Sequence, residues 1–264
     1  MRILLLSDIH ANLEALNAVL GAAPPHDAVW NLGDIVGYGA NPNEVIDAAR
    51  GIGSISARGI GSIFVRGNHD KVCSGVEGFE DFSPIAARAA RWTRSMLTPE
   101  DADWLRQLPQ GPVAPDAPQV SCMHGSPLDE DEYLLTMRDA QPALANAEAR
   151  INFFGHTHIQ GGFATNGEEW FRLLPQYNSS EADEYELPLR ESARYLINPG
   201  SVGQPRDRDW RAAFALYETE QTGDNANVQR ITFYRVPYDI KQAQQKIRAA
   251  GLPDHLAARL KEGR

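Results

Sequence analysis

Short apolar runs that each stop at polar side chains are the feature that most restricts how this chain folds. ILLL (3–6) runs into SDIH, AVWNL (28–32) into GD, SIFVRG (62–67) into NHD, QVSCM (119–123) into HG, and INFFG (151–155) into HTH. Such runs are too short for helices. Ile3 to Leu6 has no polar residue at alternate positions, which fits a strand covered on both faces. After it, Asn12 is placed to cap a helix whose apolar positions Leu13, Leu16, Val19 and Leu20 follow helical spacing. A second helix is predicted over 41–50, with Pro42 in its first turn. With strands at 28–34 and 62–67, the order is βαβαβ, which predicts a parallel sheet with helices on its faces.

The stretch 71–118 differs. Helices are predicted at 84–97 and 98–108, the second with Thr98 as N-cap and Pro99 in its first position. Arg88, Arg91 and Arg94 recur at helical spacing and are expected on a solvated face, with a phosphate-facing rim as the alternative. GPVAPDAP (111–118) is a Pro-rich connector. Strands follow at 119–124, 151–154, 161–165, 169–174, 194–198, 212–218 and 228–236, and their hairpin-like spacing predicts a second, mixed or antiparallel sheet. EADEYE (181–186) is expected to be an acidic loop or edge, and the tail from Tyr238 two short helices broken at GLP (251–253). GIGSI at 51–55 is echoed at 59–63, and no linker marks a firm domain boundary.

Composition narrows the function classes. A net charge of -10 argues against a bare phosphate-backbone binder, which needs a basic face. It does not exclude a metal enzyme acting on phosphates, because bound cations invert the local field. Cys73 and Cys122 are the only cysteines, too few for a disulfide framework and expected as reduced thiols. The first apolar run is interrupted by Asp8 and His10 and is too short for a membrane span or a signal core, so a cytoplasmic protein is expected.

The polar strand ends supply Asp8 and His10, Asp34, then Asn68, His69 and Asp70, then His124, and finally His156 and His158. In open α/β sheets ligands gather beyond the carboxyl ends of the strands, so these separated residues converge. Five of the seven histidines belong to the set; only His26 and His255 fall outside. Alternate residues of an extended segment share a face, which lets His156 and His158 aim at one point. Carboxylates, an amide oxygen and imidazoles together suit Mn²⁺, Fe²⁺ or Zn²⁺.

In this order, D-X-H, G-D, G-N-H-D, H-G and G-H-X-H resemble the five signature blocks of the calcineurin-like metallophosphoesterases. GDIVGYGANPNEVID (33–47), HGSP (124–127), FGHTHIQ (154–160), LINPGSVGQPRDRD (196–209) and VPYDIKQAQQKIRAAGLP (236–253) are similar to the small bacterial and archaeal phosphodiesterase branch. The Gly-rich segment GIGSISARGIGSI (51–63) looks longer than the connection usual there.

The resemblance implies an α/β fold, a four-layer αββα sandwich with two mixed β-sheets and the metal site at the strand ends. It implies a single domain over 1–264, with a helical insertion near 71–118 and a helical tail at 238–264. Asp8, His10 and His158 would hold one divalent ion, Asn68, His124 and His156 the other, and Asp34 would bridge them. Manganese is the first expectation, with iron, zinc, nickel or cobalt as alternatives. Two such ions roughly 3.5–4 Å apart activate water and clamp phosphoryl oxygens. His69 would be the proton donor to the leaving oxygen and Asp70 its orienting carboxylate, unless Asp70 merely caps a helix. Arg206 would meet substrate phosphate, unless it sits in a surface salt bridge. Asn198 and Ser201 would shape the pocket through a tight turn.

The implied activity is hydrolysis of a phosphodiester or phosphomonoester of a small substrate. The competing classes are a non-catalytic scaffold on the same fold, for which a retromer subunit is a precedent, and a nuclease. A scaffold is expected to have lost ligands, and here every position is filled. A nuclease lacks support from the acidic balance. No membrane partner is expected, and the apolar tail positions Ile247, Leu252, Leu256 and Leu260 face either the body or another subunit. His156→Ala and His158→Ala are expected to weaken different ions in metal analysis; loss of the same ion from both variants would refute the division.

Overall fold

Residues 1–54, 60–115, 117, 119–221 and 227–264 are described by a computed structural model. The middle of the Gly-rich segment and two positions of the Pro-rich connector lie outside the described residues. The chain runs β1 (Arg2–Leu6), α1 (Leu13–Ala22), β2 (Ala28–Asn31), α2 (Pro42–Gly53), β3 (Ile63–Phe64), α3 (Asn68–Ser74), α4 (Pro84–Met96) and α5 (Pro99–Arg106). It continues with β4 (Val120–Cys122), α6 (Met137–Asn146), β5 (Ile151–Phe153), β6 (Gly161–Thr165), β7 (Trp170–Leu173), β8 (Asp183–Leu189) and β9 (Arg194–Asn198). The last elements are β10 (Ala212–Gln221), β11 (Asn227–Val236), α7 (Ile240–Ala249) and α8 (Asp254–Leu260).

Two mixed sheets form. One has the order β3-β2-β1-β10-β11-β8 and the other β4-β5-β9-β6-β7. In the first, β1, β2 and β3 are parallel, as the βαβαβ pattern predicts, while β10, β11 and β8 add antiparallel. The sequence spacing places 212–218 and 228–236 in the second sheet; the structure places them in the first. Hairpin spacing reports that β10 and β11 pair with each other, but not which sheet they join. The burial of β10 decides that, because Ala212 to Tyr217 are covered on both faces and fit beside β1.

Alternation along β1 sorts the layers. Leu4 and Leu6 face a helical layer, while Ile3 and Leu5 face the other sheet. The inter-sheet core contains Trp30, Phe153, Tyr195, Ile197, Tyr217 and Phe233 from both sheets. On the outer face of the second sheet, α6 packs through Ala140, Ala143 and Leu144 against Phe154, Phe163 and Leu196. The result is an αββα sandwich. Helix α3, helices α4 and α5 from the stretch 71–118, and α7 and α8 from the tail share the first helical layer with α1 and α2. Ile247, Leu252, Leu256 and Leu260 are all buried there, so this chain itself covers the tail's apolar face.

Caps fall where the sequence places them: Asn12 accepts from Ala15 N, and Thr98 from Asp101 N. Two helices differ from expectation. Beyond β3 the sequence predicts only a polar strand end at Asn68, His69 and Asp70, yet these residues open a helix, with Gly67 as the N-cap of α3. Helix α6 escapes prediction because Pro142 lies inside it and its apolar positions are few. The acidic segment near 181–186 becomes β8, an edge strand whose acidic side chains and Pro188 discourage further pairing. No helix among the described residues is long and apolar enough to cross a membrane.

Phe153 is wholly buried and meets the rings of Trp30 and Tyr217 between the sheets. Phe153→Ala is expected to cost about 3–5 kcal/mol in denaturant unfolding. A loss below about 1 kcal/mol would show that the inter-sheet core is not tightly packed there.

Candidate metal centre

The parallel strands deliver their ends to one place. Beyond β1 and β2 the pairing continues through the loops, with Asp8 N donating to Gly33 O and His10 N to Asp34 O, both at 3.0 Å. From the second sheet, Gly155 N donates to His124 O at 2.8 Å, which joins the ends of β4 and β5. Gly203 N donates to Asp8 O at 3.0 Å, tying the loop before β10 to the end of β1.

Asp8, His10, Asp34, His156 and His158 all have positive φ, between 49° and 63°. Non-glycine residues rarely adopt this conformation, and such strain is held where surrounding structure over-determines it. Gly67 has another reason to be glycine: a Cβ there would collide with the Asp34 carboxylate.

Each carboxylate has one oxygen pinned and one aimed inward. Asp8 Oδ2 accepts from Ser7 Oγ at 2.7 Å and His156 N at 3.1 Å. Its Oδ1 is buried without a hydrogen-bond partner, 3.3 Å from His158 Nε2 and 3.9 Å from His10 Nε2. Asp34 Oδ1 accepts from His69 N at 2.8 Å, and Oδ2 lies 3.5 Å from both His10 Nε2 and His124 Nε2. Asp34 therefore stands between two groups able to hold a cation: Asp8, His10, Asp34 and His158, and Asp34, His124 and His156. Asn68 Oδ1 joins the second group, 3.3 Å from His124 Nε2.

The imidazoles are oriented by backbone carbonyls, which can only accept. Nδ1 of His10, His124 and His158 donates to Val36 O (3.1 Å), Leu32 O (2.7 Å) and Gln204 O (2.6 Å). In His156 the roles are reversed, with Nε2 donating to Asp131 O at 3.0 Å. The remaining ring nitrogens all face inward: His10 Nε2 to His158 Nε2 at 3.1 Å, and His156 Nδ1 to His124 Nε2 at 3.1 Å. Hydrogen-bonded second nitrogens of this kind are what fixes a metal-binding tautomer.

Burial holds His10 and His158 well below the usual imidazole value and pushes His156 down to about 3. Burial acts the same way on His124, but the Asp34 and Asp8 carboxylates overcome it and raise His124 to about 10. Burial, helped by Asp34, lifts Asp8 to about 7. Burial also opposes Asp34's charge, yet His124, His69 and His10 hold that carboxyl well below its ordinary value. His10 and His158 thus meet lone pair to lone pair, which is repulsive unless a cation lies between them. The unpartnered Asp8 Oδ1 and this donor set fit divalent cations.

His69 is buried and lines the cavity over the cluster, a space of about 270 Å³ also bordered by Tyr38, Phe82, Tyr133 and Arg206. Its ring packs on Tyr38 (4.3 Å) and Phe82 (4.7 Å), and its buried Nδ1 has no partner. Gly37 makes room for that ring, since a Cβ there would strike Nδ1. Burial lowers His69 to about 4, against the pull of Asp34.

Asp70 does not meet the His69 ring. Its Oδ1 accepts from Ile35 N and Val36 N, and its Oδ2 from Gly67 N, so it caps α3 and braces the loop after Asp34. Arg206 borders the cavity, with its guanidinium 5.9 Å from the Tyr38 ring centre and a hydrogen bond to Gln204. Its Nε is buried without a partner, and the expected alternative of a surface salt bridge is not seen among the described residues. Asn198 supports the GHTH loop through Gly155 O and Thr157 Oγ1, and Ser201 donates to Asp8 O. Arg88 and Arg91 are exposed, as a solvated face requires, while Arg94 is half-buried and donates to the carbonyls of Val72 and Glu77; Arg91 and Arg94 stack on Phe79, and the row does not line the cavity over the cluster. Both cysteines are free and buried outside the cluster.

Sequence reading missed Tyr38, Phe82 and Tyr133, which lie in loops without a recurring pattern. It also missed the orienting carbonyls, which leave no side-chain signature.

A larger cavity of about 450 Å³, lined by Met1, Arg150 and Tyr217 among others, contains none of the candidate ligands.

The model of the calcineurin-like phosphoesterase superfamily domain matches residues 1–222. Over 267 residues the chain is 36% identical to an uncharacterised protein of Methanocaldococcus jannaschii, covering 99% of this chain and 98% of that one. A solved metallophosphoesterase from Sphaerobacter thermophilus is similar with a TM-score of 0.78 and 37% identity, covering 100% and 99% of the two chains. A hypothetical protein from Pyrococcus horikoshii OT3 shares the fold with a TM-score of 0.71 at 18% identity, covering 100% and 98%.

Asp34 and Asp8 favour a proton on His124, and burial favours one on Asp8. Cation binding must expel such protons, so proton release is expected on metal binding, and affinity is expected to fall as pH drops. Calorimetry in buffers of different ionisation enthalpy measures this; a binding heat that does not change with buffer would refute it.

Proposed function

The chain belongs to the calcineurin-like phosphoesterase superfamily, and on that premise we propose that it hydrolyses phosphodiester or phosphomonoester bonds at a dinuclear metal centre. The observation that carries this reading is Asp34, whose inward oxygen lies 3.5 Å from an imidazole of each buried group. In this reading Asp8, His10 and His158 would hold one ion, Asn68, His124 and His156 would hold the other, and Asp34 would serve both. Manganese is the first proposal, with iron, zinc, nickel or cobalt as alternatives, because imidazoles and carboxylates together accept all of these ions and availability decides among them. When bound, such a pair supplies an activated water and charge stabilisation for the phosphoryl group.

The protein's own residues do the rest. Backbone amides and Ser7 pin one oxygen of each carboxylate, so the second is pre-aimed before any ion arrives. Carbonyls of Val36, Leu32, Gln204 and Asp131 fix four ring tautomers. Arg206, lacking a carboxylate partner among the described residues, is available to substrate phosphate from the cavity wall. His69 is the proton donor to the leaving oxygen. Burial keeps its ring neutral in the free protein at neutral pH. The negative charge of a bound phosphate would raise the proton affinity of His69, and the proton it gives to the leaving oxygen would be taken up from water. Asp70 acts on His69 through the backbone of α3 rather than through the ring.

A panel of aryl and alkyl phosphomonoesters and phosphodiesters, run with a panel of metals on metal-stripped protein, tests the reading. Turnover is expected to need a divalent ion. His69→Ala, with both ions bound, is expected to slow esters of ordinary alcohols by about 10²–10⁴-fold. Esters of nitrophenol, whose leaving oxygen needs no proton, are expected to suffer much less. Undiminished turnover of the alkyl esters would remove His69 as the acid, and no turnover with any metal would remove the enzyme.

A further inference from the structure

Three of the four cluster histidines are oriented by carbonyls of buried loop residues, Val36, Leu32 and Gln204, but His156 is not. Its Nε2 donates to Asp131 O in the segment 125–135, a surface loop where Leu128 and Tyr133 are exposed. The same loop lays the Tyr133 ring on His156, with ring centres 3.8 Å apart. Asp129, Glu130, Asp131 and Glu132 are consecutive acids. Such a run repels itself and does not hold a position unaided.

One buried cation gathers it. Lys71, two residues after His69 on α3, has a side chain only 1% exposed. Its Nζ lies 2.7 Å from Asp131 Oδ2, 3.2 Å from Glu130 Oε1 and 3.1 Å from Glu77 Oε1. Arg66 adds a second clamp, on Glu130 alone, through Nε at 3.0 Å and Nη2 at 2.7 Å. A lysine this buried is stable in its charged form only because carboxylates surround it, and its removal would leave them crowded together without compensation.

We propose that Lys71 is the positioning residue for one of the two metal sites: by holding Asp131 it fixes the tautomer of His156. The inference rests on the dinuclear reading above and deepens it. The chain of contacts runs from Lys71 Nζ through Asp131 to the Asp131 carbonyl, and from there to His156 Nε2. His10 and His158 have no link in this chain, since their orienting carbonyls are Val36 and Gln204. Lys71 therefore acts on the Asn68, His124 and His156 ion and leaves the Asp8, His10 and His158 ion alone.

Calorimetric titration of metal-stripped protein with Mn²⁺ tests this. The wild type is expected to take two ions. Lys71→Met is expected to keep one at wild-type affinity and to bind the other about 10–100-fold more weakly, the range for lost partners of a metal-bound histidine. Ring ¹⁵N shifts of His156 are expected to move from a single Nε2–H tautomer toward a mixture, which a general loss of stability would not produce. Adding Lys71→Met to His156→Ala is expected to weaken metal binding no further. Should Lys71→Met fail to fold, Asp131→Asn keeps the backbone carbonyl, removes its anchor and carries the same expectation. Two unaltered affinities, or equal loss of both, would overturn the role of Lys71. A wild type that takes fewer than two ions would overturn the dinuclear reading and this inference with it.

Discussion

The structure depends on a repulsion that it maintains on purpose. His10 and His158 direct bare nitrogens at each other at 3.1 Å, in a buried place where neither is easily protonated. Left to themselves, two imidazoles would rotate away and use those nitrogens as hydrogen-bond acceptors. They cannot, because each ring is held from behind by a carbonyl that demands the other nitrogen's hydrogen. In the second group a proton on His124, raised by Asp34 and Asp8, sits where a cation would. A site whose comfort requires positive charge between its members is preorganised for cations, and most of the cost was met when the chain folded.

That arrangement explains why two sheets are needed. Asp8, His10 and Asp34 leave the first sheet, while His124, His156 and His158 leave the second. Neither sheet alone supplies both groups. The spacing between them is set by the inter-sheet core, in which Trp30, Phe153 and Tyr217 lie ring against ring. Aromatic packing far from the chemistry thus sets the distance between ligands. The strain of positive φ at five ligand positions is tolerable for the same reason, since the flanking strands are locked on both sides.

Much of this was legible in the chain because apolar runs and polar stops are written locally. β1 with Asp8, β5 with GHTH, and the caps Asn12 and Thr98 need only neighbouring residues to be recognised. The assignment of β10 and β11 to a sheet was not legible, because pairing with β1 is a contact between distant segments. Asp70 shows a subtler limit. Its place beside His69 suggested contact with the ring, but a side chain at the start of a helix can turn back to the N-cap amide, and Gly67 N took it together with two amides of the distant loop after Asp34. Tyr133 and Lys71 carry no motif at all; their importance arises only when a loop and a helix meet.

The distribution of charge separates two tasks that a phosphoester site must perform at once. An acidic chain with net charge -10 draws divalent cations toward itself and repels phosphate. Within the cavity the balance is different, because Arg206 has no carboxylate partner among the described residues and lies against Tyr38 rather than in open water. Lys71, by contrast, is surrounded by acids and contributes nothing to an incoming anion. In the proposed reading Arg206 and Lys71 therefore have opposite roles, one available to substrate and one committed to the scaffold. Once the ligand cluster is filled, its carboxylates no longer oppose a phosphate, and Arg206 reinforces the attraction. In the proposed reading the electrostatics set an order of events: cations first, because they cancel the buried carboxylates, and the phosphate anion only after them.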